Sequence, residues 1–222
     1  MARYDEDEPE TPGTDPEVPE PIGPDQSEPD KNRTLSSPIN ELETRLFTQR
    51  KVLVFGPIND KVARDVTGRL LALSGASSEP IDVYVNSPGG HVESGDTIHD
   101  MIRFVDAASP VRMIGTGWVA SAGALIFLAG HKDRRFCLPN TRFLLHQPMG
   151  GVRGPATDID IEAREIIKMR ERLNRLIARE TGQPYEKVDI DTDRNYWMSG
   201  EEAMAYGMVT RIVSSAADLP RL

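Results

Sequence analysis

Two residues stand where nucleophilic chemistry is possible. Ser121 sits in Gly117-Trp118-Val119-Ala120-Ser121-Ala122-Gly123-Ala124, after a predicted strand and at the start of an apolar helix. Its small neighbours leave the hydroxyl accessible, and a helix N-terminus offers backbone N–H groups to a developing oxyanion. The sequence is not the Gly-x-Ser-x-Gly elbow of the α/β-hydrolases, and a serine in this place also serves simply as a helix cap. His146 follows the strand-like Phe143-Leu144-Leu145 and precedes Gln147-Pro148-Met149-Gly150-Gly151, so it stands at a strand end feeding a glycine loop. That position suits a general base, and equally a buried hydrogen-bonded histidine. His91, His99 and His131 read as surface residues, and none forms a His-x-x-x-His pair, so zinc is unsupported. Asp191-x-Asp193-x-Asn195 with Glu202 has the ligand spacing of a calcium loop, but Tyr196 occupies the sixth place, where that loop needs glycine. This segment reads as a solvated connection.

The elements that must position these residues alternate. A short helix over Glu41 to Gln49 precedes the apolar run Val52 to Phe55, ended by Gly56-Pro57, which reads as a buried strand. Val62, Val66, Leu70 and Leu73 recur at helical spacing after a capping Asn59-Asp60. Ile81 to Val85 reads as a strand ending in Asn86-Ser87-Pro88-Gly89-Gly90, a turn whose glycines permit close approach of another backbone. A helix lined by Ile98, Met101 or Ile102, and Val105 leads to a short strand over Val111 to Gly115, and the next helix starts at about Ser121. Arg135 to Leu138 and Arg142 to Leu145 read as strands. Thr157 to Thr181 forms one long charged helix with Ile161, Ile166, Met169, Leu173, Leu176 and Ile177 along a stripe. Glu201 to Ala205 and Met208 to Val213 close the chain as helix and strand. Strands alternating with helices predict an α/β domain with a covered sheet.

Charge is unevenly placed along the 222 residues. Residues 1 to 33 hold eleven acids against three bases, and therefore −8 of the net −9, together with seven prolines. This segment has too few apolar side chains to offset ordering entropy, which predicts a disordered leader over residues 1–34 ahead of one domain over 35–222. The near-neutral body lacks the basic stripe that neutralises phosphates, which argues against nucleic acid. The longest apolar run, Ala124 to Ala129, is far short of the roughly 20 residues that span a bilayer. The acidic N-terminus is unlike a signal peptide, and the single Cys137 permits no intrachain disulfide. These features predict a cytoplasmic protein with no membrane contact.

Seven stretches together resemble the Clp protease proteolytic subunit (ClpP) family: Tyr84-Val85-Asn86-Ser87-Pro88-Gly89-Gly90, Ala120-Ser121-Ala122-Gly123-Ala124, Arg135-Phe136-Cys137-Leu138-Pro139-Asn140, His146-Gln147-Pro148, Ala156-Thr157-Asp158-Ile159, Ala163-Arg164-Glu165-Ile166 and Ala205-Tyr206-Gly207-Met208-Val209. They run in the family's order from about Leu35 to Val213. The resemblance implies a crotonase-like α/β fold of repeated ββα units, with the long helix as a protruding handle between two stacked seven-membered rings. It implies a serine endopeptidase acting on unfolded polypeptides in the enclosed chamber, with no cofactor of its own. ATP would be used by an AAA+ unfoldase partner, and this chain has no Gly-x-x-x-x-Gly-Lys-Ser/Thr loop.

Carried over position by position, the family's nucleophile falls on Ser121, its general base on His146, and its oxyanion donors on the N–H groups of Gly90 and Ala122. Asp193 and Arg194 match residues that couple ring contacts to the active site. The third triad position departs from the pattern: the family has Asp where this chain has Asn195. A neutral amide supplies a carbonyl acceptor but cannot stabilise an imidazolium as a carboxylate does. Asn195 therefore motivates an alternative, a low-activity ring subunit that assembles with an Asp-bearing paralogue. Enoyl-CoA hydratase-like chemistry shares the fold class, but the Ser121 and His146 contexts match the peptidase branch.

Overall fold

The computed structural model describes residues 38–220; the acidic leader lies outside the described residues. The order is α1 (Pro38–Thr48), β1 (Lys51–Phe55), α2 (Asp60–Ala76), β2 (Ile81–Ser87), α3 (Val92–Asp106), β3 (Val111–Ala120), α4 (Ala122–Phe127), β4 (Arg135–Cys137), β5 (Arg142–Leu145), α5 (Ala156–Thr181), α6 (Tyr185–Asp191), β6 (Tyr196–Ser199), α7 (Gly200–Tyr206) and β7 (Arg211–Ile212). Strands β1-β2-β3-β4-β7 lie side by side and parallel, whereas β5 pairs with β3, and β6 pairs antiparallel with β5. Asn59 caps α2 by accepting from the Val62 N–H, and the apolar face of that helix buries Val66, Leu70 and Leu73.

β3 explains the architecture. The spacing predicts a strand that stops at Gly115, yet the strand runs on to Ala120 through a kink. Its pairing with β2 slips by two residues between Ile81↔Val111 and Ser87↔Val119. Gly117 takes up the slip at φ +61, where a Cβ would press on the Asn86 side chain at 3.0 Å. Before the kink β3 pairs with β4, and after it with β5. The sheet therefore branches, and the branch carries β5 and β6 away from the main layer.

One face of the main sheet is buried: Val52, Val54, Val83, Val85 and Met113 pack against Leu70, Leu73, Ile98 and Ile102 of the helices. The other face is only partly covered within one chain. It carries Phe55, 47% exposed, and a two-pronged Arg112–Asp82 ion pair at 2.6 and 2.9 Å. The predicted covered sheet is thus covered on one face and partly open on the other. Only the C-terminal half of α5 packs on the domain, through Leu173, Leu176 and Ile177; Ile159, Ile161 and Ile167 are exposed on its projecting half. The stretch from Asp191 to Glu202, read as a solvated connection, instead contains β6, whose Met198 is buried, and the start of α7.

Candidate active site

The branch brings three strand ends together. β3 and β5 run parallel in the register Trp118↔Arg142, Val119↔Phe143, Ala120↔Leu144, and the Ser121 N–H continues the ladder by donating to the Leu144 carbonyl at 2.9 Å. On the far side of β5 the antiparallel register ends at Leu145↔Tyr196. His146 is the next residue beyond that pair on one chain segment and Asn195 on the other, and both line one groove. Ser121, His146 and Asn195 are thus neighbours across three adjacent strands.

Ser121 does not act as a helix cap. Its side chain makes no capping hydrogen bond, and its backbone is held at φ 53, ψ −123, outside the usual regions for a residue with a side chain. The surroundings that hold it there are close-packed. A Cβ on Gly89 would meet the Ser121 Cβ at 2.5 Å and Oγ at 3.0 Å, so only glycine admits the serine.

Gly90 forms a parallel bridge with Ile58: the Ile58 N–H donates to Gly89 and the His91 N–H to Ile58, at 2.9 and 3.0 Å. Both bonds belong to residues flanking Gly90. Its own N–H therefore turns the other way, to the side where β3 ends in Ser121. The Ala122 N–H opens α4 and is one of the donors that a helix start leaves free. Two backbone donors thus flank the serine.

His146 is half-buried, and burial holds its imidazole below the usual value, partly countered by a hydrogen bond to the Gln147 backbone. It borders two spaces. On one side, with Ser121, Ala122, Leu125, Leu173 and Ile177, it lines a small apolar cavity of about 20 Å³. On the other, with Met149, Asp193, Arg194 and Asn195, it lines an open groove of about 510 Å³. Among the described residues no hydrogen bond joins Ser121 to His146, or His146 to Asn195. Such contacts tighten in many enzymes only when substrate is bound.

The segment before Asn195 is pinned to the residue after His146. The Gln147 N–H donates to the Thr192 carbonyl at 2.6 Å, and Gln147 Nε2 to the Asp193 carbonyl at 2.7 Å. Thr192 is fully buried and its hydroxyl donates to Asn174 Oδ1 of α5 at 3.0 Å, while Asn174 Nδ2 donates to Asp189 at 2.9 Å. Arg170, also on α5, reaches Asp189 at 3.1 Å and Asp193 at 3.7 Å; Arg194 extends into solvent.

One histidine departs from expectation. His99 is not on the surface but 3% exposed, its Nδ1 bonded to the Leu125 carbonyl at 2.8 Å. Periodicity pointed to it weakly, since it adjoins Ile98 on the buried side of α3. Among the described residues no three His, Cys, Asp or Glu side chains gather as for a metal, and no helix is long and apolar enough to cross a membrane. Cys137 is buried, which pushes its thiol up to about 11.

The model of the Clp protease family matches residues 36–216 of the chain. The chain belongs to the Clp protease family. It is 76% identical to the ATP-dependent Clp protease proteolytic subunit 2 of Gluconobacter oxydans, over 92% of this chain and 90% of that one. It is 61% identical to a proteolytic subunit 3 of Rhizobium johnstonii, over 88% and 99% of the two chains. Among solved structures, ClpP1 from Listeria monocytogenes superposes with a TM-score of 0.73, and an Asn-to-Asp point mutant of ClpP1 from that organism with 0.75. Both are 51% identical, covering 81% of this chain and 99% of theirs. The branched, mostly parallel α/β sheet with its projecting α5 is accordingly the Clp protease fold, and membership carries with it the coarse activity of a peptidase subunit.

Proposed function

We propose that the chain is a serine endopeptidase subunit of an ATP-dependent Clp-type protease that degrades unfolded polypeptides. The observation that carries this is the strained Ser121, set between the N–H groups of Gly90 and Ala122 and one strand from His146. Ser121 Oγ attacks the scissile carbonyl while His146 takes its proton. The oxyanion forms between the two N–H donors, and His146 then returns the proton to the leaving amine. Water, activated by the same imidazole, releases the acyl group. In this reading Asn195, which lines the same groove as His146, orients the imidazole through its amide oxygen, without the charge a carboxylate would add.

Val92, Leu125, Leu173 and Ile177 make the wall beside Ser121 apolar. ATP is consumed by an AAA+ unfoldase partner, and the chain requires no cofactor of its own. The half-bare sheet face and the exposed apolar residues on α5 support assembly, in stacked seven-membered rings with itself or with a paralogue.

The test is reaction of the assembled protein with a fluorophosphonate probe and a fluorogenic peptide, beside Ser121→Ala and Asn195→Asp. Labelling at Ser121 with turnover, abolished in Ser121→Ala, is the expected result. No labelling of the parent but clear labelling of Asn195→Asp favours the second reading, a low-activity ring subunit that works beside an Asp-bearing paralogue. No labelling in either variant that retains Ser121 overturns the peptidase assignment.

A further inference from the structure

The helix that begins at Ser121 is only six residues long. So short a helix has few internal hydrogen bonds to fix its place, and whatever holds its far end also holds the serine at its start. The Leu125 carbonyl lies one turn beyond Ser121. The backbone N–H groups that would reach back to it go elsewhere: Leu128 donates to Ala124 at 3.0 Å and Ala129 to Ile126 at 3.1 Å. The partner of the Leu125 carbonyl is instead a side chain, His99 Nδ1 at 2.8 Å. A carbonyl can only accept, so Nδ1 carries the proton.

α3 thus grips α4 at two points. Near one end Gly95 lies under Ala122, so close that a Cβ there would be 3.2 Å from the Ala122 Cβ. One turn later His99 holds Leu125, whose side chain lines the cavity shared by Ser121 and His146. Packing alone would be served by an apolar side chain, which could fill this space without burying a polar ring. What the imidazole adds is the donor.

We propose that His99 is a positioning residue for Ser121: its Nδ1–H clamps the Leu125 carbonyl, and so fixes the place of α4, of the Ser121 hydroxyl and of the Ala122 N–H. This rests on the reading of Ser121 as the nucleophile. Burial, with a smaller contribution from Arg103, disfavours a second proton on the ring and outweighs the opposing pull of the Leu125 hydrogen bond, Asp100 and Glu180, so the neutral form with one donor is the form that does the holding.

The experiment compares His99→Leu, which fills the space without a donor, with His99→Asn, whose amide nitrogen can take the place of Nδ1. The readouts are the rate of fluorophosphonate labelling at Ser121, the concentration dependence of that rate, and hydrogen exchange of the 122–128 amides. Each variant is made in the full chain and also in the Asn195→Asp background. A misplaced serine is expected to lower the limiting labelling rate about 10- to 100-fold in His99→Leu, with little change in probe binding and with faster exchange confined to α4. His99→Asn is expected to restore the rate to within about threefold of the parent, as replacing the same donor should. If His99→Leu does not assemble, His99→Met takes its place.

Labelling of His99→Leu at the parent rate overturns the proposal, as does a His99→Asn as slow as His99→Leu. If neither parental background labels at Ser121, the peptidase reading itself is lost and this proposal goes with it. Labelling that ignores His99 leaves that reading standing.

Discussion

Replacing Asn195 by Asp adds one negative charge to the groove that His146 and Asn195 both line, next to the last paired residues Leu145 and Tyr196. A carboxylate there that faces the imidazole would stand about 4 Å from it, the range at which an opposite charge favours the charged form. At that separation the attraction to an imidazolium is ~4 kcal/mol at an effective dielectric of 20 and ~1 kcal/mol in bulk water. Position 195 is exposed and His146 half-buried, which places the gain between these limits, at about 2 kcal/mol. Acylation should therefore run about thirtyfold faster in Asn195→Asp.

The same coupling sets the pH dependence. Burial keeps the parent imidazole below its ordinary 6.5, so the base stays neutral, and the rate falls only below that pH. The new carboxylate favours the imidazolium, so the acid limb moves upward by about one and a half pH units. The assay is kcat/KM for a fluorogenic peptide from pH 5 to 9, with fluorophosphonate labelling beside it. A rate within twofold of the parent at pH 8, or an acid limb that stays in place, would refute the claim that residue 195 faces the imidazole.

Gly90→Ala should be doubly damaging. Its Cβ would lie 2.2 Å from the Ile58 carbonyl oxygen, so the strand must shift and carry with it one of the two N–H groups proposed to hold the oxyanion. Labelling at Ser121 should fall by about 10²-fold or more, measured against a stability loss in urea. Asn174→Ala removes two hydrogen bonds, but the Thr192 hydroxyl keeps the Val188 carbonyl at 2.8 Å and Asp189 keeps Arg170; a loss of about 1–2 kcal/mol is expected in urea unfolding, with slower labelling as the Thr192–Gln147 tie loosens.

The pH dependence of stability follows from His99 and His146, both held by burial below an ordinary value of 6.5. The unfolded chain takes up protons more readily than the folded one, so this contribution is full above about pH 6.5 and declines as pH falls below it. Urea midpoints at pH 7.5 and 5.5 should differ less in His99→Asn than in the parent.

The repeating apolar pattern made most of the fold legible, because β1, β2, α2 and α3 each bury one regular face. It failed at β3, where Gly115 and Gly117 look like a strand end and are a kink within a longer strand. It failed again at Tyr196–Ser199, four residues whose strand character comes from pairing with β5 and not from their own alternation. Ser121 and His146 were visible as residues in suggestive places. Their adjacency was not, since it is made by the parallel β3–β5 and antiparallel β5–β6 registers, which local spacing does not encode. His99 was hidden for a related reason: a lone histidine on an amphipathic helix declares its burial only when the carbonyl it serves, 26 residues on, is in place.

The branching of β3 separates the molecule's durability from its chemistry. The main layer is held by the long β1-β2-β3 pairings, whereas the arm that bears His146 and Asn195 joins β3 through three residue pairs. A lesion in that arm can abolish the constellation while nearly all helix and strand persist. Spectra that count secondary structure would then certify a fold that has lost its working part. Conversely, anything that braces the short arm from outside, such as a neighbour seated on the projecting half of α5, acts on the reaction without strengthening the scaffold. In this design the scaffold and the site can be lost, and regained, independently.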